Sequence, residues 1–256
     1  TINVCYHKDQ HPWIMKIKNK MQGSSIEFLK YITKKSNLQF SMIETETVSE
    51  HFQKIKDGQC DIAPIIVTKP NLFKFLNPTV SMIEDNIVLV TKINEHYVSD
   101  FNEIGDKKIA IHRGKSNLIK YVKSVYPNMK LTKVDNIDLD RVASGEFYGY
   151  ISSSYKMSYK IYPDYVNKLK IMSKIGDKKI QGSFGITVRE PVLLSIFNKS
   201  LNDISELERQ EIENAWVSVE VEKQFDYTLF FQIISVFVGV VLILVISNFK
   251  QKKLQA

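Results

Sequence analysis

Several signatures are missing from this chain, and each gap removes a class of function. There is no glycine-rich phosphate loop, no G-x-S-x-G turn and no Cys/His pair with local support, so a P-loop nucleotidase or a hydrolase nucleophile elbow is excluded. Lysines are scattered, with no arginine-rich or lysine–aromatic stripe, which leaves a nucleic-acid partner without support. The five histidines are His7, His11, His51, His96 and His112. His7, Asp9, His11 and His112 fall near expected strand ends, but their spacing fits no known metal-ligand set, so no metal and no other cofactor is expected. Cysteine occurs only at positions 5 and 60.

What the chain does have is one long apolar run. Residues 229–247 carry no charge, and Gln232, Ser235 and Ser247 are their only polar side chains. As a helix rising about 1.5 Å per residue, this run spans roughly 28 Å, close to the hydrocarbon thickness of a bilayer. Lys250, Lys252 and Lys253 follow it, whereas Glu220, Glu222 and Asp226 precede it against a single Lys223. Lysines stay on the cytoplasmic side of a spanning helix. Residues 1–226 are therefore expected outside the cytoplasmic membrane, with a transmembrane helix over 227–248 and a cytoplasmic tail over 249–256. The chain opens on Thr and no export signal precedes it, so it is expected to be a piece of a longer protein.

Before the apolar run the chain repeats one plan twice. "TINVCYHKD" reads as a strand, a helix follows over 24–35, "LQFSMIE" is a second strand, a helix over 49–56 closes with Gly58 at its end, and "CDIAPIIV" is a third strand. The second round is "KKIAIHRG", a helix over 115–125, "KLTKVD", a short helix over 139–143, and "YGYISS". Each half is β-α-β-α-β, the pattern of a parallel sheet with helical crossovers. "NIVLVTK" is placed to cross from one half to the other and "GSFGITV" to cross back, with helices over 191–203 and 205–215 after it. Two lobes joined by two strands make a hinged clamshell, and ligands of open α/β sheets bind beyond the carboxyl ends of the strands. If Cys5 lies late in its strand and Cys60 at the start of a parallel neighbour, they sit about 10 Å apart. Two free, buried thiols are therefore expected.

An ordered set of stretches resembles a known family. It comprises "HPW", "GSSIEFLKYI", "IKDGQCDIAPIIVTKP", "FLNPTVSMIEDNIVLVTK", "KKIAIHRGKS", "FGITVREPVLLSIFNKSL" and "ERQEIENAWVSVEVEKQFDYTLFFQI". The chain resembles the family 3 extracellular solute-binding proteins of the type II periplasmic-binding fold, and in particular the Venus-flytrap sensor domains of BvgS-type receptors. The resemblance implies an α/β clamshell with lobe I over 1–89 and 184–226 and lobe II over 90–183. It also implies a receptor of the bacterial inner membrane, working as a homodimer, with a periplasmic N-terminal domain and a histidine kinase or cyclic-dinucleotide enzyme downstream. The alternative is a substrate-binding domain fused to or serving an ABC-type transporter. Some enzymes use this clamshell, but Asp9, Glu44, Glu46 and Asp135 are acid–base candidates only as loop carboxylates. No catalytic activity is expected.

The resemblance also implies a ligand pocket. Amino-acid-binding members hold the ligand carboxylate with an arginine after the third strand; Leu72 stands there, and no arginine occurs before residue 113. They hold the ammonium with an aspartate in the last strand of the second lobe, where Ser153 stands. Their stacking aromatics are replaced by Gln10 and Val48. Thr68 keeps a hydroxyl at the cleft edge, and Trp13 is either a stacking surface or a half-buried aromatic under its loop. Lys115 and Ser116 at the second-lobe helix entry are placed to hold an anion; the same residues also read as an ordinary serine cap. A free amino acid is therefore not the expected ligand. The expectation is a neutral or monoanionic small molecule, or no ligand and a periplasmic partner protein instead.

Overall fold

The computed structural model describes residues 1–7, 10–67, 74–162, 164–215, 232, 234, 237 and 239. The chain divides into two compact units, Thr1–Val221 and Glu222–Ala256. The expected transmembrane helix and the segment leading to it fall almost wholly outside the described residues. Gln232, Ile234, Phe237 and Gly239 are helical. Among the described residues, no helix is long and apolar enough to cross a membrane.

The first unit opens with β1 (Ile2–His7), a small hairpin of β2 (Met15–Ile17) and β3 (Lys20–Gln22), and α1 (Ser24–Ser36). There follow β4 (Phe40–Thr45), α2 (Val48–Lys56), β5 (Ile62–Val67) and β6 (Leu76–Pro78). β7 (Ile83–Lys92) leads to β8 (Ile109–His112), α3 (Ser116–Val125), β9 (Leu131–Val134), α4 (Asp140–Ala143) and β10 (Gly149–Ser153). The unit closes with α5 (Ser154–Ile161), β11 (Leu169–Thr187), α6 (Pro191–Asn202) and α7 (Glu206–Asn214). α1 enters through Gly23, whose φ of 121° and closeness to the Trp13 backbone leave no room for a Cβ.

The main sheet runs β4-β1-β5-β11-β7-β10-β8-β9. β4, β1 and β5 are parallel, as are β10, β8 and β9. The two halves thus share the order second–first–third, and β11 and β7 join them by pairing antiparallel. This is the expected two-lobed α/β architecture. Its inner strands β5, β8 and β10 are buried on both faces, as crossover helices require, whereas the edge strands β4 and β9 are only half-buried. In β7, Ile87 and Leu89 belong to one core with Ile109, Ile111 and Ile151, while Val88 and Val90 belong to the other with Ala110, Tyr150 and Ile171. The first half packs Val4, Phe28, Ile32, Phe184 and Phe197 together, and its cap α6–α7 returns from the end of the chain.

Four features depart from the sequence reading. β11 begins at Leu169 rather than at residue 182, so the return strand runs to 19 residues, well over twice the length its apolar core suggests. It carries a register shift: Lys174 pairs with Val88 but Lys179 with Asn86, so three more residues lie on β11 than on β7 between those pairs. α5 was not anticipated, nor was the β2–β3 hairpin. Finally, the two cysteines are not free. Cys5 and Cys60 form a disulfide with a Cα–Cα distance of 5.7 Å. The 10 Å expectation treated Cys60 as part of its strand. β5 starts only at Ile62; Gly58, at φ 78°, turns the chain off α2, and Cys60 lies in the turn beside β1.

Candidate ligand-binding cleft

Strand register fixes where the strand ends meet. Val67, the last residue of β5, is level with Gly182, which is level with Ile83 on β7. Ser153, the last residue of β10, is level with Ile87. β5 and β10 run in opposite directions, so the carboxyl ends of the two halves converge on residues 83–87 of β7. The loops that follow β4, β8 and β9 open there, and α5 continues directly from β10. A separate apolar groove of about 460 Å3 lies between α1 and the amino end of β4, lined by Leu29, Phe40 and Met42 among others, away from this convergence.

The first-half rim is closed by its own hydrogen bonds. The Tyr6 hydroxyl donates to Glu44 at 2.8 Å, and the Thr45 hydroxyl donates to the Tyr6 carbonyl at 2.9 Å. Burial and the Glu44 charge push the Tyr6 phenol up. Nε2 of His7 lies 2.9 Å from the Glu46 carbonyl. Glu50 accepts from the Glu46 N–H, and Thr47 caps α2 by accepting from the Glu50 N–H. His51, one turn into α2, is 1% exposed with neither ring nitrogen partnered, and burial lowers its pKa to about 4. On the second-half rim, Arg113 pairs with Asp135 at 3.2 Å across the β8 and β9 ends. The Gly114 N–H donates to Nδ1 of His112.

α5 links the halves. Tyr155 belongs to the first-half core, whereas Met157 and Ile161 belong to a second-half core. His11, on the loop after β1, stacks on Tyr159 of α5 with ring centroids 5.3 Å apart and planes at 4°. Asp85, at the convergence, is 4% exposed and accepts from the Ser154 hydroxyl and the Tyr155 N–H. Burial pushes its carboxyl up, against those hydrogen bonds.

A two-lobed sheet whose strand ends meet at a pair of linking strands is a binding architecture, and the comparisons agree. A profile of bacterial extracellular solute-binding proteins, family 3, matches residues 2–219. The chain belongs to that family. Virulence sensor protein BvgS of Bordetella pertussis is 25% identical over 196 residues, covering 76% of this chain and 16% of BvgS. Sensor protein EvgS of Escherichia coli O157:H7 is 25% identical over 222 residues, covering 81% of this chain and 17% of EvgS. The chain thus spans about a sixth of the length of these relatives. The crystal structure of the periplasmic VFT2 domain of Bordetella pertussis BvgS matches with a TM-score of 0.74 at 23% identity, covering 84% of this chain and 92% of that one.

Within this solute-binding protein, the pocket residues read from the sequence separate into groups. Thr68 and Leu72 lie outside the described residues, as does Asp9. Gln10 turns inward: its Oε1 accepts from the His7 N–H at 3.2 Å and holds its own loop. Trp13 is half-buried against the first-half core, and its carbonyl accepts from the Ser25 N–H. Val48 is 57% exposed at the start of α2. Lys115 is the N-cap of α3 and Ser116 its first residue, with no side-chain cap bond, so the ordinary serine cap is not formed. Ser153 is buried as the N-cap of α5 and accepts from the Lys156 N–H. Among the described residues, no group of three or more His, Cys, Asp and Glu side chains is arranged to hold a metal ion. Sequence reasoning missed α5 and Asp85. The acidic pair Glu84–Asp85 inside the otherwise largely apolar stretch 82–90, and a serine cap followed by Tyr155 and Tyr159 one turn apart, were the available signals.

Proposed function

We propose that this chain is the extracytoplasmic ligand-sensing domain of a membrane-bound receptor. Lobe I comprises 1–89 and 184–226 and lobe II 90–183. A small molecule enters between the strand ends, the lobes rotate about β7 and β11, and the motion passes through a transmembrane helix over 227–248 to a cytoplasmic kinase or cyclic-dinucleotide module. The observation that carries this reading is the alignment with two proteins named as sensors over 76% and 81% of the chain. The apolar run 229–247 with its trailing lysines supports the membrane connection. Leu72 and Ser153, neutral where amino-acid binders carry charge, favour a neutral or monoanionic ligand over a free amino acid. We assign no catalytic step. Periplasmic location in the inner membrane and a homodimeric state belong to the same proposal. The rival role, a substrate-binding domain of an ABC-type transporter, draws on the fold alone. Deleting residues 1–215 from the full-length protein separates the two. A sensor then loses its response to growth conditions while solute uptake continues; loss of uptake with an unchanged response would overturn the sensing role.

A further inference from the structure

Three elements form a closed circuit at the meeting point of the lobes. Asp85 of β7 accepts from the Ser154 hydroxyl at 2.5 Å and from the Tyr155 N–H at 3.2 Å, both in the first turn of α5. A carboxylate there also complements the positive end of the helix. Tyr155 inserts among the first-half core residues, and its hydroxyl donates to the carbonyl of Glu213 at 2.8 Å. Glu213 lies in the last turn of α7. The circuit closes through Arg209 of α7, which donates to the Met82 carbonyl just before β7 at 2.7 Å and to the Leu201 carbonyl at 3.1 Å.

We infer that Asp85, Tyr155 and the Glu213 carbonyl form a relay that couples the cleft end of β10 to the last turn of α7. The inference rests on the sensing role proposed above and names its internal path. α5 follows β10 directly, and its Met157 and Ile161 pack into the second-half core, so α5 travels with that half. Tyr155 reaches the other way, to α7, the last helix described in this unit. When the halves rotate, the last turn of α7 must either follow Tyr155 or lose its hydrogen bond. Losing it strands a buried hydroxyl and leaves the helix end loose. Asp85 sets the position of Tyr155 without touching α7, so it is a positioning residue.

Hydrogen exchange on the intact chain in detergent or bilayer tests this without a ligand and without any output. Tyr155→Phe and Asp85→Asn should each speed exchange of the amides over 210–215 by about threefold to tenfold, the range of one lost hydrogen bond. Amides of α3 and α4 should keep their rates. The double variant should be no faster than Tyr155→Phe alone, because both changes break one path. The relay is refuted if Asp85→Asn leaves 210–215 unchanged, if the two effects multiply, or if every amide in the chain accelerates equally. Signalling of the full-length receptor is a separate readout. If the exchange pattern holds but output ignores both variants, the relay stands as a mechanical link and the sensing role fails.

Discussion

At the residue scale, polar side chains at the strand ends mostly serve the fold. The Gln10, Thr47 and Glu50 side chains bond backbone N–H groups of the adjoining loops and of α2, a use that depends on which loops meet and is invisible in a linear pattern. His51 makes a sharper case. In the unfolded chain it titrates near 6.5, and in the fold its pKa falls to about 4 because burial disfavours the cation. Above 6.5 both states are neutral and pH has no effect through this group. Below 6.5 the unfolded state takes the proton first, so stability falls, and the loss is complete near pH 4, at about 3 kcal/mol. Chemical denaturation of His51→Phe between pH 7 and 4 should therefore show a shallower acid limb than wild type; equal limbs would place the proton uptake elsewhere. Leu72 and Ser153 carry a second expectation. A ligand at 100 times its Kd adds about 2.7 kcal/mol, or several degrees of Tm in a domain of this size. Common L-amino acids at millimolar concentration should leave the Tm unmoved, and a clear rise with any of them would refute the reading of those two positions.

At the element scale, legibility followed packing. Helices α1, α2, α3, α6 and α7 lie within two residues of their expected bounds because each shows an apolar face and a recognisable start or stop. α7 begins with a capping box between Ser205 and Glu208. The first part of β11, "LKIMSKIGDKKIQ", was not legible. It received no assignment because its lysines and Gly176 do not fit a strand pattern, yet pairing with β7 makes it one. The cysteine error came from extending strand spacing through a residue that is not in the strand. The disulfide closes a loop with a sequence separation of 55, for which chain-entropy reasoning gives about 4 kcal/mol of stabilisation. Cys5→Ala/Cys60→Ala should lower the denaturant midpoint to match, and reductant should lower the wild-type midpoint but not the variant's. Identical midpoints with and without reductant would show that the thiols are unpaired in solution.

At the scale of the whole molecule, the doubled β-α-β-α-β plan was readable because parallel strands need crossover helices, and two such rounds leave few arrangements. The path between the lobes was not readable, since α5 and Asp85 work through contacts distant in sequence. Topology gives one prediction here: alkaline phosphatase fused after Lys253 should be inactive and a cytosolic reporter fused there active, and the reverse would invert the orientation. Transmission gives another. Four glycines inserted after Lys223 should leave folding intact but uncouple cytoplasmic output in the full-length protein, because a flexible link absorbs a rotation that a stiff one passes on. Output that still follows domain closure would end the rigid-link idea. The two linking strands also differ in kind. β7 pairs with β10 residue by residue from Ile87 to Thr91, while β11 holds three residues more than its partner between Lys174 and Lys179. The extra residues are anchored to the second half, with Ile175 buried in its core and the Lys178 N–H donating to the Tyr121 hydroxyl. The linking pair is therefore stitched evenly along β7 to β10 and buttoned at one place on β11 into the second half.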